Sequence, residues 1–196
     1  MTIILASASR ARQKLLANAG IGFEVVPAVL DERAAEEPLA EAGAPPEDIA
    51  VALAMAKATS ISEHHPSDLV IGADQVLELE GKRLHKPRDM EAARRQLLSL
   101  SGGRHFLHSA VACARGGEIV WSDVETASLA MRRLEPAFVG RYLARVGPEA
   151  LGSVGAYQLE GLGIQLFDKI EGDFFAILGL PLLPLLKFLR AEGLLE

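Results

Sequence analysis

Leu69-Val70-Ile71-Gly72-Ala73-Asp74-Gln75 is the stretch on which the fold turns. Its apolar half predicts a buried strand, and the strand leads into an aspartate. A carboxylate just beyond an apolar strand end is well placed to bind a divalent ion or to act as a base, because loops at strand ends carry many sites. It also suits a plain turn.

Working outward, Ile3–Ala6 reads as a second short buried strand, followed by possible helix caps at Ser7 and Ser9. Residues 10–19 read as a helix closed by Gly20, and Phe23–Val26 as a strand. Residues 31–48 are rich in Glu, Ala and Pro without an apolar period and read as a loop, whereas Ile49–Ser62 has helical character. Further on, Val76–Leu79 pairs with residues near Leu84 as a hairpin, and Asp89 caps a helix over Met90–Leu100. Phe106–Ala114 and Ile119–Ala130 flank the turn Arg115-Gly116-Gly117, and Pro136 opens a helix to about Arg145. Residues 147–163 read as irregular. Ile164–Ile170 and Phe174–Leu178 read as a hairpin around Glu171-Gly172-Asp173, and a last helix covers Leu182–Ala191. Early alternation of strands and helices, with hairpins later, predicts an α/β fold with a mixed sheet.

The chain has 196 residues and a net charge of -6 with no long basic run, which argues against duplex nucleic acid as a partner. The single cysteine, Cys113, forms no intrachain disulfide and no zinc cluster, and reads as a core residue. Ile3-Ile4-Leu5 is too short for the apolar region of a signal peptide, and the apolar run Leu178–Leu189 is broken by Gly179, Pro181, Pro184 and Lys187. That run is shorter than the roughly 20 residues a bilayer needs. The expected location is the cytoplasm, without membrane attachment.

Ser7-Ala8-Ser9-Arg10-Ala11-Arg12 joins a strand to a helix, where unpaired backbone N–H groups suit an anion and arginine forks match phosphate oxygens. The same residues also fit a capped helix with two solvated arginines. Lys57 falls inside the apolar stripe between Leu53 and Ile61, so it either snorkels to solvent or faces an anion. Lys86-Pro87 holds a lysine in extended backbone. Asp31-Glu32 is either solvated loop charge or, with Asp74, a source of the carboxylate pair that magnesium favours. Gly155-Ala156-Tyr157-Gln158-Leu159-Glu160-Gly161 is either a flexible loop or a backbone that approaches a ligand, with Glu160 accepting hydrogen bonds from a base. Phosphate-binding glycine fingerprints, a G-x-S-x-G elbow and metal-spaced histidines are all absent.

In order, Leu5 to Arg12, Asp31-Glu32, Lys57-Ala58, Ile71 to Gln75, Lys86-Pro87, Leu100-Ser101-Gly102, Gly155-Ala156-Tyr157 and Gly179 to Leu182 resemble the Maf family of nucleoside triphosphate pyrophosphatases across nearly the whole chain. The resemblance implies an inosine-triphosphatase-like fold, with an elongated mixed sheet flanked by helices around a central cleft, a single domain over residues 1–196, and a homodimer. It implies hydrolysis of a nucleoside triphosphate to the monophosphate and pyrophosphate, with Mg²⁺, Mn²⁺ or Co²⁺. Carried over by position, Asp74 matches the catalytic proton acceptor, and Ser7, Arg12, Lys57 and Lys86 match the phosphate site. Glu32 matches an acidic position near the metal, which Asp74 shares, and Gln75 and Glu160 match base-contacting positions. The family's Ser-Pro-Arg-Arg is Ser9-Arg10-Ala11-Arg12 here, so only the second arginine is carried over and a role for Arg10 stays open. Gln75 and Glu160 resemble the 7-methyl-GTP subgroup more than the dTTP and UTP subgroup, although a tryptophan common in that subgroup is Ala11 here. A nucleotide-binding regulator of cell division with little catalysis is the rival expectation.

Overall fold

Ile3–Leu5 (β1) points Ile3 and Leu5 into one hydrophobic cluster and Ile4 into another, as the two-residue period of a strand requires. In the computed structural model, which describes residues 1–196, β1 is followed by Arg10–Asn18 (α1), Glu24–Val25 (β2), Glu32–Glu41 (α2) and Pro46–Ser62 (α3). Leu69–Leu79 (β3), Lys82–Leu84 (β4), Met90–Leu100 (α4), Arg104–Arg115 (β5) and Glu118–Met131 (β6) come next. Pro136–Val146 (α5), Phe167–Glu171 (β7), Phe174–Ile177 (α6) and Leu182–Ala191 (α7) complete the chain. The strands form a seven-stranded mixed sheet in the order β2-β1-β3-β5-β6-β7, with β4 on β3. β1 is parallel to both β2 and β3, whereas β4 and β7 pair antiparallel.

The residues divide into two compact units, and β3, β5 and β6 each contribute to both. The first comprises Met1–Gln75, His108–Glu125 and Asp173–Glu196. One of its hydrophobic clusters joins Ile3 and Leu5 of β1, Leu15 and Leu16 of α1, Leu69, Ile71 and Ala73 of β3, and Leu185 and Leu189 of α7. Each fully buried leucine of this cluster stabilises the fold by about 1.5–3 kcal/mol. The opposite face of the strands buries Ile4, Ala6 and Val70 against Ile61 of α3. The second unit, Val76–Leu107 with Thr126–Gly172, packs α4 on α5. No helix is long and apolar enough to cross a membrane.

Local chemistry sets the helix ends. Ser9 caps α1, accepting from the N–H of Arg12 at 3.5 Å, and Gly20 at φ 75° closes it. The β5–β6 hairpin turns at Gly116 and Gly117, both at positive φ, as its composition predicts.

Three expectations are corrected. Residues 31–48 are largely helical: Asp31 caps α2 by accepting from the N–H of Ala34 at 3.1 Å, and the helix packs on α3. Glu and Ala sustain a helix without an apolar stripe, so periodicity passes over it. Residues 174–177 form a one-turn helix rather than a strand, because Asp173 caps them by accepting from the N–H of Ala176 at 2.8 Å. Asp74 lies inside the eleven-residue β3 rather than beyond its end. It is nonetheless past the end of the parallel pairing, since the last β1–β3 pair is Leu5 with Ile71.

Gly72 sets how closely α3 approaches β3. A Cβ there overlaps the carbonyl oxygen of Ala54 and the amide nitrogen of Ala58. Gly72→Ala should therefore destabilise the protein by about 3 kcal/mol or prevent its accumulation as folded protein, as measured by urea unfolding. Unchanged stability would show that the helix and strand are not locked at this point.

Candidate active site

Gly72 and Asp74 share one face of β3, two residues apart, and α3 lies against that face through Ala54 and Ala58. Lys57, beside Ala58, therefore meets Asp74. Its Nζ donates to Asp74 Oδ1 at 2.6 Å and pairs with Glu32 Oε1, also at 2.6 Å. Lys57 is 8% exposed and Asp74 7%, whereas about half of the Glu32 side chain, 53%, is in solvent. Of the two sequence expectations for Lys57, solvent or a partner anion, the structure has the anion, and it is supplied by the protein itself. Removing one partner from such a buried pair costs about 3–5 kcal/mol, because the other charge is left uncompensated. The helical N-terminus of α2 delivers Glu32 to the lysine.

Arg12 projects from α1 into the same unit. Its Nε donates to the Gly179 carbonyl at 2.7 Å, and its Nη1 donates to the Ala73 carbonyl at 2.8 Å and to Ser7 Oγ at 3.1 Å. The reason lies in the strand edge. Carbonyls two residues apart face the same edge, and Ile71 accepts from the N–H of Ala6 at 2.8 Å. β1 then ends, so the next carbonyl on that edge, Ala73, takes a guanidinium instead. Ser7 Oγ also accepts from the N–H of Ser9 at 3.3 Å. Burial lowers the pKa of the Arg12 guanidinium, while Asp74 and Glu32 pull it back up. Arg12 thus ties α1, β3 and the turn at Gly179 together, a bracing role that the motif did not disclose. Arg10 is exposed.

The amide of Gln75 is held internally. Its Nε2 lies 2.8 Å from Ser109 Oγ, 3.0 Å from the Ile177 carbonyl and 3.2 Å from the Ala176 carbonyl. Ser109 is fully buried and itself donates to the Ala176 carbonyl at 2.7 Å. Nothing in the sequence signals Ser109 beyond its place within an apolar strand. The first unit therefore brings Ser7, Arg12, Glu32, Lys57, Asp74 and Gln75 together.

Lys86 and Glu160 belong to the second unit, and both are exposed. The segment carrying Glu160 is folded tightly on itself. A Cβ on Gly155 collides with the Tyr157 ring and one on Gly163 with the Gln158 backbone, and Ala156 adopts φ 57°. Ser153 Oγ donates to the Tyr157 carbonyl at 2.6 Å, and His105 Nε2 is 2.8 Å from the Tyr157 hydroxyl. Phe167 packs against both rings. Burial depresses the His105 pKa to about 4, so the imidazole is neutral.

No group of three or more His, Cys, Asp or Glu side chains converges as a ready-made metal cage. Two carboxylates do fit a hard divalent cation completed by phosphate oxygens. Glu32 Oε1 and Asp74 Oδ1 each lie 2.6 Å from one nitrogen, so they are within twice that distance of each other.

Two measurements test these contacts. Arg12→Lys loses the fork that reaches three acceptors and should cost about 2 kcal/mol of stability by chemical denaturation. For His105, the unfolded imidazole takes up a proton near pH 6.5 that the folded one refuses until about pH 4. Stability should therefore fall as pH drops through that window, by about 3 kcal/mol from this residue. Wild type should lose that much more than His105→Gln between pH 7 and pH 4, and equal losses would remove the assignment.

Residues 2–192 match the Maf family, described as Maf-like protein. The chain is 57% identical to a 7-methyl-GTP pyrophosphatase of Mesorhizobium japonicum and 56% identical to one of Brucella abortus, covering 99% of this chain and 98% of each relative. It is 54% identical to a nucleoside triphosphate pyrophosphatase of Rhodopseudomonas palustris over 98% of this chain and 95% of that one. Among solved structures, the Staphylococcus aureus Ham1 protein aligns with a TM-score of 0.39 at 16% identity over 67% of this chain and 71% of that one. A match of this extent means that the protein belongs to the Maf family.

Proposed function

We propose that this chain is a nucleoside triphosphate pyrophosphatase that releases the nucleoside monophosphate and pyrophosphate, with a modified guanine nucleotide of the 7-methyl-GTP type as its substrate. Relatives more than half identical along nearly their whole length carry the names 7-methyl-GTP pyrophosphatase and nucleoside triphosphate pyrophosphatase. The observation that carries the reading is the buried Lys57 held between Glu32 and Asp74, in the unit that also contains Ser7 and the N-terminus of α1.

In the proposed reaction, a water oxygen attacks the α-phosphorus and the bond to the bridging oxygen of the β-phosphate breaks. Pyrophosphate leaves with the bonding electron pair, and Asp74 accepts the proton lost by the water. The Lys57 ammonium, the Ser7 hydroxyl and the first N–H groups of α1 meet the phosphate oxygens, whose charge they offset. Glu32 and Asp74 are the proposed ligands of a divalent cation, Mg²⁺, Mn²⁺ or Co²⁺, which when bound supplies Lewis-acid polarisation of the phosphate. Gln75 acts on base preference through the turn it holds at Ala176 and Ile177. For Lys86 and Glu160, the proposed contacts with phosphate and base rest on the family resemblance alone. A cytoplasmic homodimer is the proposed working form.

The test is pyrophosphate release from canonical and modified triphosphates, each with Mg²⁺, Mn²⁺ or Co²⁺. The expected result is the highest kcat/KM on 7-methyl-GTP, and a preference for dTTP and UTP would overturn the base assignment. Asp74→Asn should lower kcat by about three orders of magnitude with native circular dichroism retained. Near-normal turnover by that variant would remove Asp74 from its role.

A further inference from the structure

We infer that Lys57 is an internal stand-in for the metal: its ammonium holds the Glu32 and Asp74 carboxylates in the nucleotide-free protein and excludes a divalent cation until a triphosphate draws the lysine away. This rests on the proposed function, because it concerns the same carboxylates and the same lysine.

The geometry supports it first. One Nζ lies 2.6 Å from Glu32 Oε1 and 2.6 Å from Asp74 Oδ1, which is where a cation bridging those two oxygens would lie. The ammonium satisfies with N–H bonds what a metal would satisfy by coordination. A metal arriving alone must displace it, and a displaced Lys57 needs a new anion because the residue is 8% exposed.

Charge points the same way. Glu32 and Asp74 are the two carboxylates of the cluster, and Lys57 is one of its cations. Arg12 is a second cation close enough to feel both carboxylates. These four side chains together carry no net formal charge. Adding a divalent ion alone leaves two uncompensated positive charges in a half-buried site, which is strongly unfavourable. A triphosphate brings the missing negative charge and gives Lys57 phosphate oxygens to bind. Metal and nucleotide then favour each other's binding by the same factor, as linkage requires.

Glu32 adds a structural consequence. It sits in the first turn of α2, so its pairing with Lys57 also tethers that helix to α3. Exchange of the lysine for a metal keeps the tether and changes only its cation.

The experiment measures Mn²⁺ binding by electron paramagnetic resonance with no nucleotide present. Wild type should bind weakly, and Lys57→Met should bind at least about ten-fold more tightly, a gain of about 1.4 kcal/mol. The double variant Lys57→Met with Glu32→Gln should lose the gain, which locates it at these carboxylates. No gain in Lys57→Met, or a gain that survives in the double variant, overturns the inference. Lys57→Met leaves Asp74 without its partner and is at risk of misfolding, so a second measurement uses wild type alone. Mn²⁺ broadening of the amide resonances of Glu32, Asp74 and Gln75 should require a nonhydrolysable triphosphate analogue. Site-specific broadening at the same Mn²⁺ concentration without the analogue overturns the inference. Pyrophosphate release by wild type is assayed in parallel. Turnover with tight nucleotide-free metal binding discards the stand-in role and keeps the pyrophosphatase, whereas no turnover on any triphosphate discards the pyrophosphatase itself.

Discussion

Everything at the candidate site depends on how closely α3 lies against β3 at Gly72. The backbone of Ala54 and Ala58 occupies the space that a side chain on residue 72 would need. That approach sets the depth of the helix, and the helix sets Lys57. Because side chains on a strand repeat every two residues, Asp74 emerges on the same face one step further along. The Lys57–Asp74 pair is thus a product of main-chain packing. Glu32 joins it because Asp31 starts a helix at the right point in the chain.

A second dependence follows from the shortness of β1. The parallel pairing stops at Leu5 and Ile71, and β3 continues without that neighbour. The edge left open exposes the Ala73 carbonyl, which Arg12 fills, and its guanidinium also reaches the turn at Gly179. An unpaired buried carbonyl costs about 1–3 kcal/mol, so the arginine serves stability as well as local charge. Two cations and two carboxylates then sit together in balance. A polyanionic ligand that arrives with its own cations preserves that balance, which is why the proposed metal-bound triphosphate would be accommodated there.

The second unit is organised differently. Its glycine-rich segment looks flexible in sequence but is folded onto itself around Tyr157, with a neutral His105 beneath. Gly155 and Gly163 are required there by close approach of neighbouring atoms, so the segment presents Glu160 from a shaped backbone.

The mixed α/β class, the β1–α1 unit with a serine cap, the β5–β6 hairpin and the order of motifs that marks the family were legible in the sequence. These are local signals, carried by apolar periodicity, caps and turn glycines acting over a few residues. They passed over α2, whose Glu and Ala make a helix without an apolar stripe, and misread residues 174–177, where one capping aspartate outweighs an apolar run. Tertiary structure alone decided what the polar side chains do. It paired Lys57 with two carboxylates, turned Arg12 into a brace, and spent the Gln75 amide on Ser109 and two carbonyls. The physical reason is range: a strand or helix is set by neighbours in sequence, whereas a buried charge or donor is satisfied by whichever partner the packing brings within about 3 Å.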